Sequence, residues 1–448
     1  MLPVRVYAPR GKFPEGAVRV NVTSKATALM PDDHKSDLGD VQPFRALSPF
    51  LMGPVTVVPG KKALEALRME NGYQFTKLYQ LHATRDGAPM EDHARWLLDG
   101  IYDDKPHRFP MGRGKKPLGA VWRNRIIGYV EARLRIYIPT YVEAICRDSD
   151  AFAAYVQLRE LHARTSAAGQ ELALYDYDGY DHVKKQTTLA SVAANDKKKM
   201  GHAFVLAALL ENRLQEVVHS AAAIAGIDLP LCDLPTDLSP LSENERLPNL
   251  IGGAVIYHRE EFLNHMADRY FDLFIPGGAA NIPWERTKVL MMGREVYQKR
   301  DTAFFGDPGT SFRYSGRKHN ARPWSDDPSG AVLEIVRIVR HVTGKHFNIC
   351  LMNLYHPEDS IGEHSDDMRD LDEDSGIFSV SLGCTRTFKL NPRNGGGAGS
   401  PQSVELNHGS GVWMVGLTQR AYKHRVDPEK YTGTGPELRV NLTFRCTK

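Results

Sequence analysis

The spacing of apolar positions changes about halfway along the chain. In residues 63–81, 129–145 and 202–218, hydrophobic side chains recur at intervals of three and four among Ala, Leu, Glu and Arg, which predicts amphipathic helices. From residue 254 onward only two helical stretches are expected, at 259–274 and 332–342. The remainder reads as strands at 347–355, 377–382, 386–390, 403–406, 412–415 and 438–446, rich in β-branched and aromatic residues. Short antiparallel strands joined by glycine turns imply a sandwich or jelly roll with helices on its outer face. The expected fold class is α+β: a mainly helical N-terminal domain followed by a jelly roll with flanking helices.

Residues 1–44 mix Pro, Gly, Asp and Lys without sustained period and predict an extended arm with one strand at Val18–Val22. A mainly helical domain is expected over 45–227. Pro230, Pro235, Pro240 and Pro248 mark 228–253 as a linker, and 254–448 is the second domain. The glycine-rich run Asn394–Ser400 has no lysine after it and predicts a hairpin connection, not a phosphate loop.

At 448 residues the chain is long enough for two or three cores. With 42% hydrophobic and 25% charged residues, it holds no apolar run near the roughly 18 to 20 residues of a membrane span, so no membrane role is expected. Met1-Leu2-Pro3-Val4-Arg5-Val6 lacks the character of a secretory signal, which predicts an intracellular, cytoplasmic protein. The five cysteines are scattered without a C-x-x-C pair and read as reduced thiols. The formal charge of +3 suits a polyanionic partner without requiring one. Basic groups at Arg113–Lys116, Lys197–Lys199 and Arg313–Lys318 fit solvated loops equally well.

Some clusters in the first half are denser than a plain helical domain needs. Glu70 and Lys77 are seven apart and would share a helix face, where a surface ion pair is the simpler reading. The Gly112–Lys116 loop could cradle a phosphate but lacks the P-loop spacing. Asp176, Asp178 and Asp181 offer oxygen ligands without EF-hand spacing and fit a capped turn better. Residues 44–213 resemble an uncharacterised domain of bacteria and phages. Ser48-Pro49-Phe50 followed by Glu70, Tyr73, Gln74 and Lys77 is faintly similar to the start of the NADAR superfamily, whose members cleave N-glycosidic ADP-ribose linkages.

The second half carries the clearer chemistry. His364-Ser365-Asp366 is followed 58 residues after the aspartate by His424, a distance that lets the chain cross a barrel and return. Two imidazoles and a carboxylate on one face of a metal leave the other face open, as in non-haem Fe(II) oxygenases. Arg439, Asn441 and Thr443 alternate along one strand and so share a face, which Arg445 continues. Two arginines and an amide on a face turned to the core call for an anionic partner. Arg439 is the choice for the cation that meets it, through a guanidinium fork.

Asn353-Leu354-Tyr355, Ile361–Asp367, Ser379–Gly383, His424 and Arg439–Arg445, in this order, resemble the AlkB family of Fe(II)- and 2-oxoglutarate-dependent dioxygenases from about Met291 to the C-terminus. The resemblance implies a double-stranded β-helix. It implies iron held by His364, Asp366 and His424, with 2-oxoglutarate held by Asn353, Tyr355, Arg439, Asn441 and Arg445. Fe(II), 2-oxoglutarate and O₂ are then the cofactors.

The segment Met291–Trp324 resembles the nucleotide-recognition lid of the same family. Phe312 and Tyr314 match the aromatic pair beside a flipped base, Asp367 the acid at the base edge, and Met292 the apolar finger that fills the gap. Alternation within a sheet core also accounts for Phe312 and Tyr314. The partner expected is nucleic acid, DNA or RNA, or a nucleotide. The leading expectation is oxidative N-demethylation of bases. One alternative is a stable base or nucleoside hydroxylation coupled to an N-terminal domain that processes a nucleotide or ADP-ribose. Another makes the N-terminal half a non-catalytic binding module that delivers the oxygenase.

Overall fold

The computed structural model describes residues 2–8, 15–24, 43–230, 233–291, 294–314, 317–393, 401–428 and 436–448. The chain divides into two compact units, Met1–Ser239 and Pro240–Lys448. The division falls inside the proline-rich stretch 228–253. Residues after it are built into the second unit: the Leu247 N–H donates to Ile256 O at 2.8 Å, and Arg259 pairs with Glu245 at 3.1 Å. None of the described helices is long and apolar enough to cross a membrane.

The first unit is more mixed than its periodicity predicts. Its described N-terminal residues are not a separate arm: Arg5–Tyr7 and Val18–Asn21 flank Leu172–Tyr175 in a parallel three-stranded sheet. Val4, Val6, Val20 and Val22 are fully buried, so burial ties this stretch down. The helix expected over 63–81 is instead a strand Leu64–Ala66, a six-residue helix Met69–Gln74, a strand Lys77–Leu78 and a short 3₁₀ turn. Pairing of Leu64–Ala66 with Val55–Val57 overrides the local helical spacing. Residues 129–147 do form one helical run, with a π turn at Arg133–Tyr137. The expected helix over 202–218 breaks where Asn212 takes φ +55°, giving His202–Leu210 and Leu214–Ala225.

Glu70 and Lys77 are not a surface pair on one helix. Glu70 is buried, Lys77 begins the next strand, and Gln74 bridges them. The three aspartates also separate: Asp176 accepts from the Ala203 N–H, Asp178 pairs with Arg108, and Asp181 pairs with Arg5.

The second unit is a two-sheet sandwich. The larger sheet runs in the spatial order Arg322–Pro323, Asp301–Gly306, Ile349–Tyr355, Arg439–Arg445, Ile377–Gly383, Gly411–Gly416, Ala254–Arg259. The smaller runs Ile361–His364, Tyr422–Val426, Arg386–Pro392, Gln402–Leu406. Ile256, Ile377, Val412 and Met414 from the first meet Phe388, Leu390, Val404 and Val426 from the second. This is the jelly roll expected. One helix is displaced: Arg259 ends a strand, and the helix begins at Ala267 and runs to Phe274. That helix packs so closely on Gly383, at φ +85°, that a Cβ there would lie 2.4 Å from the Phe271 ring. The other helix, Ala331–Thr343, lies where its spacing predicts.

Candidate active site

The site begins with strand alternation. In Arg439–Arg445, Val440, Leu442 and Phe444 are completely buried in the sheet's apolar layer, while Arg439, Asn441, Thr443 and Arg445 line the cavity on the other face. This strand is central, so the same face is extended sideways. Asn353 and Ser381 lie opposite Asn441 on its two neighbours, and Tyr355 lies opposite Arg439. Asn353 Nδ2 donates to Asn441 Oδ1 at 3.2 Å, and Asn441 Nδ2 donates to Ser379 Oγ at 2.7 Å and to Val380 O at 2.9 Å. Arg439 is 1% exposed. It donates through Nη2 to Ser381 Oγ at 2.9 Å and lies 5.1 Å from the Tyr355 ring centroid.

The histidines come together by register. His364, the last residue of Ile361–His364, is directly opposite His424 on the adjoining strand. Their ring centroids are 4.3 Å apart, and Asp366 Oδ2 lies 3.5 Å from His424 Nε2. One ligand atom from each of His364, Asp366 and His424 falls within 4.8 Å of the others, and no other group of three or more such ligands occurs among the described residues. His364 Nδ1 is 2.8 Å from Gly362 O. A carbonyl only accepts, so that nitrogen carries the proton and Nε2 keeps its lone pair for a metal. Ser365 Oγ donates to Tyr422 O at 2.8 Å, and the Asp366 N–H donates to Gln419 Oε1 at 2.9 Å, which fixes the turn carrying the carboxylate.

Electrostatics suit metal binding. Burial pulls the His424 imidazole down to about 4 against the opposing charge of Asp366, so it is neutral at physiological pH. Burial alone would raise the Asp366 carboxyl, but the Arg445 guanidinium, with His424 and His364, holds it well below the usual carboxylate range. Arg445 Nη2 donates to Asp366 Oδ1 at 2.6 Å, leaving Oδ2 on the histidine side. Burial lowers Arg439 to about 10, which still leaves it cationic at neutral pH. Two imidazoles and one carboxylate are donors of the kind that a non-haem Fe(II) centre uses.

The same cavity is lined by His364, Asp366 and His424 and by the five residues expected to hold 2-oxoglutarate, Asn353, Tyr355, Arg439, Asn441 and Arg445. Arg439 Nε and Arg445 Nε are buried without a hydrogen-bond partner. A buried guanidinium N–H left unpaired fits a site shaped for an anionic ligand. Leu351, Phe388, Leu406, Val412 and Met414 supply apolar walls.

Two contributors escape sequence reasoning. Arg300 lines the cavity and donates through Nε to Asn353 Oδ1 at 2.8 Å; it was legible only as part of the lid segment. Gln419 lies in the four-residue helix Thr418–Ala421 and carries no local signal.

The lid assignments fall in different surroundings. Phe312 is 4% exposed, packs with Ile349 and Leu371, and has the Arg445 guanidinium 5.3 Å from its ring centroid, so its visible role is to back that arginine. Asp367 is exposed and engaged by Arg369. Tyr314 ends the hairpin strand Ser311–Tyr314, which pairs with Arg317–Asn320. Met292 lies outside the described residues.

Residues 274–445 match the 2OG-Fe(II) oxygenase superfamily. The DNA oxidative demethylase ALKBH2 of Arabidopsis thaliana is 34% identical over 188 residues, covering 37% of this chain and 58% of that protein. The protein of the same name from Mus musculus is 38% identical over 165 residues, covering 35% of this chain and 66% of its own length. The human alpha-ketoglutarate-dependent dioxygenase alkB homolog 3 is 34% identical over 173 residues, 37% of this chain and 57% of that protein. The chain thus spans under two thirds of the length of these relatives. Its second unit carries an AlkB-like 2OG-Fe(II) oxygenase domain. That superfamily uses Fe(II), 2-oxoglutarate and O₂, and the His364, Asp366 and His424 set fits the iron.

Proposed function

We propose that this chain, through its AlkB-like domain, is a nucleic-acid dealkylase that oxidises methyl groups on base nitrogens. One observation carries the reading: the two-histidine, one-carboxylate set shares its cavity with a buried arginine whose Nε has no partner.

When bound, Fe(II) with 2-oxoglutarate and O₂ would supply the oxidising power to hydroxylate the methyl group, with succinate and CO₂ as co-products. The hydroxymethyl product then releases formaldehyde and restores the base N–H. The chain's residues supply position and dryness. His364, Asp366 and His424 would hold the metal. Arg439, braced by Ser381, holds the distal carboxylate of 2-oxoglutarate, and Asn353, Asn441 and Tyr355 define the channel between. The apolar walls exclude water, which strengthens each of these charged contacts. Met292, Phe312, Tyr314 and Asp367 are proposed as the base-recognition surface, with Phe312 acting through Arg445.

The test uses the full chain with Fe(II), 2-oxoglutarate and oligonucleotides carrying N1-methyladenine or N3-methylcytosine, as single- and double-stranded DNA and as RNA. Succinate and formaldehyde should form in equal amounts. Succinate without methyl loss from any substrate sinks the proposal, and a stable product heavier by one oxygen, without formaldehyde, makes the enzyme a base hydroxylase.

A further inference from the structure

The first unit contains a cleft of about 790 Å³, open to solvent, whose lining includes none of the residues proposed for the oxygenase chemistry. Its lining counts eight Lys and Arg against four Asp and Glu. Asp178 pairs with Arg108, which removes one charge of each sign and leaves seven cations against three acids, so the balance favours an anionic ligand.

Much of that positive charge is on a built loop. Arg133, 2% exposed, donates to the carbonyls of Val192, Ala193, Asn195 and Lys198, at 2.6 to 3.1 Å. Asn195 Oδ1 accepts the N–H groups of Lys197 and Lys198 at 2.9 and 3.1 Å. A buried cation therefore fixes the backbone from which Lys197, Lys198 and Lys199 project into solvent.

Beside the loop is an aromatic face. Phe109 is 39% exposed, and Lys199, Arg108 and Arg113 lie 5.1, 5.4 and 5.9 Å from its ring centroid. An exposed ring among cations can stack a base while its neighbours meet phosphate. Deeper in the cleft a polar chain connects Glu70 to Lys77. Gln74 Nε2 donates to Glu70 Oε1 at 2.8 Å, and Lys77 Nζ donates to Gln74 Oε1 at 2.6 Å.

We infer that this cleft is a second ligand site, for a nucleotide: phosphate at the Lys197–Lys199 loop, base against Phe109, and hydroxyl groups reaching the Glu70, Gln74 and Lys77 chain. Burial pushes the Glu70 carboxyl up and brings the Lys77 ammonium down to about 8. The shared chemistry is a nucleoside phosphate, free or within a strand.

Titration calorimetry on the full chain tests this with inorganic pyrophosphate, the nucleoside 5′-diphosphates and a single-stranded hexanucleotide. Lys198→Ala/Lys199→Ala should weaken all of them by about tenfold, while Lys61→Ala/Lys62→Ala, a charge-matched change at residues outside the cleft lining, leaves them unchanged. Glu70→Gln should weaken a nucleoside diphosphate and leave pyrophosphate untouched, which a general loss of folding cannot do. A diphosphate that outcompetes the hexanucleotide identifies a free nucleotide as the ligand, and the reverse order identifies a strand. No saturable binding at millimolar concentration, equal losses in the two lysine pairs, or a Glu70→Gln change that affects both probes equally or neither, overturns the inference.

Discussion

Arg439→Met separates a co-substrate anchor from a structural arginine by the sign of two effects. The side chain is 1% exposed, hydrogen-bonds Ser381 and Tyr355, lies beside the Tyr355 ring and keeps Nε unpaired. Without an anion, a buried cation of this kind costs stability, and replacing it by an apolar side chain of similar size is neutral or stabilising by about 1–4 kcal/mol. For a unit of about 200 residues each kcal/mol moves Tm by roughly 2–4 °C. The Ser381 hydroxyl loses a donor, an offset of about 1 kcal/mol. The ligand-free variant should therefore melt at the wild-type temperature or a few degrees above it. With 2-oxoglutarate, removing one partner of a buried, charge-assisted pair costs about 3–5 kcal/mol, roughly two to three and a half orders of magnitude in Kd. Calorimetric titration of 2-oxoglutarate into metal-loaded protein gives the second number, and thermal unfolding of ligand-free protein gives the first. A variant that melts many degrees lower yet binds 2-oxoglutarate normally refutes the assignment.

Asp366→Ala should abolish succinate formation and also destabilise the second unit by about 3–5 kcal/mol, because Arg445 is left as an uncompensated buried cation; full stability in that variant would contradict the ion pair. Gln419→Leu removes the acceptor for the Asp366 N–H and should weaken metal binding about 10- to 100-fold, read by fluorescence titration with Mn(II). Unchanged metal affinity would show that the turn holds itself. His182 in the first unit is buried with its Nδ1 unpartnered, and burial pulls its imidazole down to about 4. The unfolded chain takes up that proton near pH 6.5 and the folded chain resists it, so its contribution is full above about 6.5 and is lost as pH falls toward 4. The loss is about 2.5 kcal/mol by pH 4.5. His182→Leu should flatten that part of the stability profile, and identical profiles would disprove the linkage.

The oxygenase unit was legible because charged residues at alternate positions of an apolar strand are conspicuous. Arg439, Asn441 and Arg445 stand out against Val440, Leu442 and Phe444 without any knowledge of the partner strands. Register is not legible in that way. That Arg300 reaches Asn353, or Gln419 reaches the Asp366 N–H, depends on strand and turn placement that local spacing does not encode. The first unit fails for two further reasons. Arg5 pairs with Ala173 in a parallel sheet, a contact across most of the unit that leaves no periodic trace nearby. His202–Leu210 is buried at every position, so its sequence has no polar face to mark where the helix stops, and the left-handed Asn212 does that work.

The strand Ile361–His364 is the outermost member of the smaller sheet, joined to a single neighbour, and its pairing is irregular between Ile361 and His364. A metal held by His364 and His424 would therefore also be a clasp that fastens this margin to the strand beside it. Iron loss should then register as fraying, with amide hydrogens of residues 361–367 exchanging faster in the metal-free protein while those of the central Arg439–Arg445 strand stay protected. Metal occupancy and the order of this sheet margin would then rise and fall together.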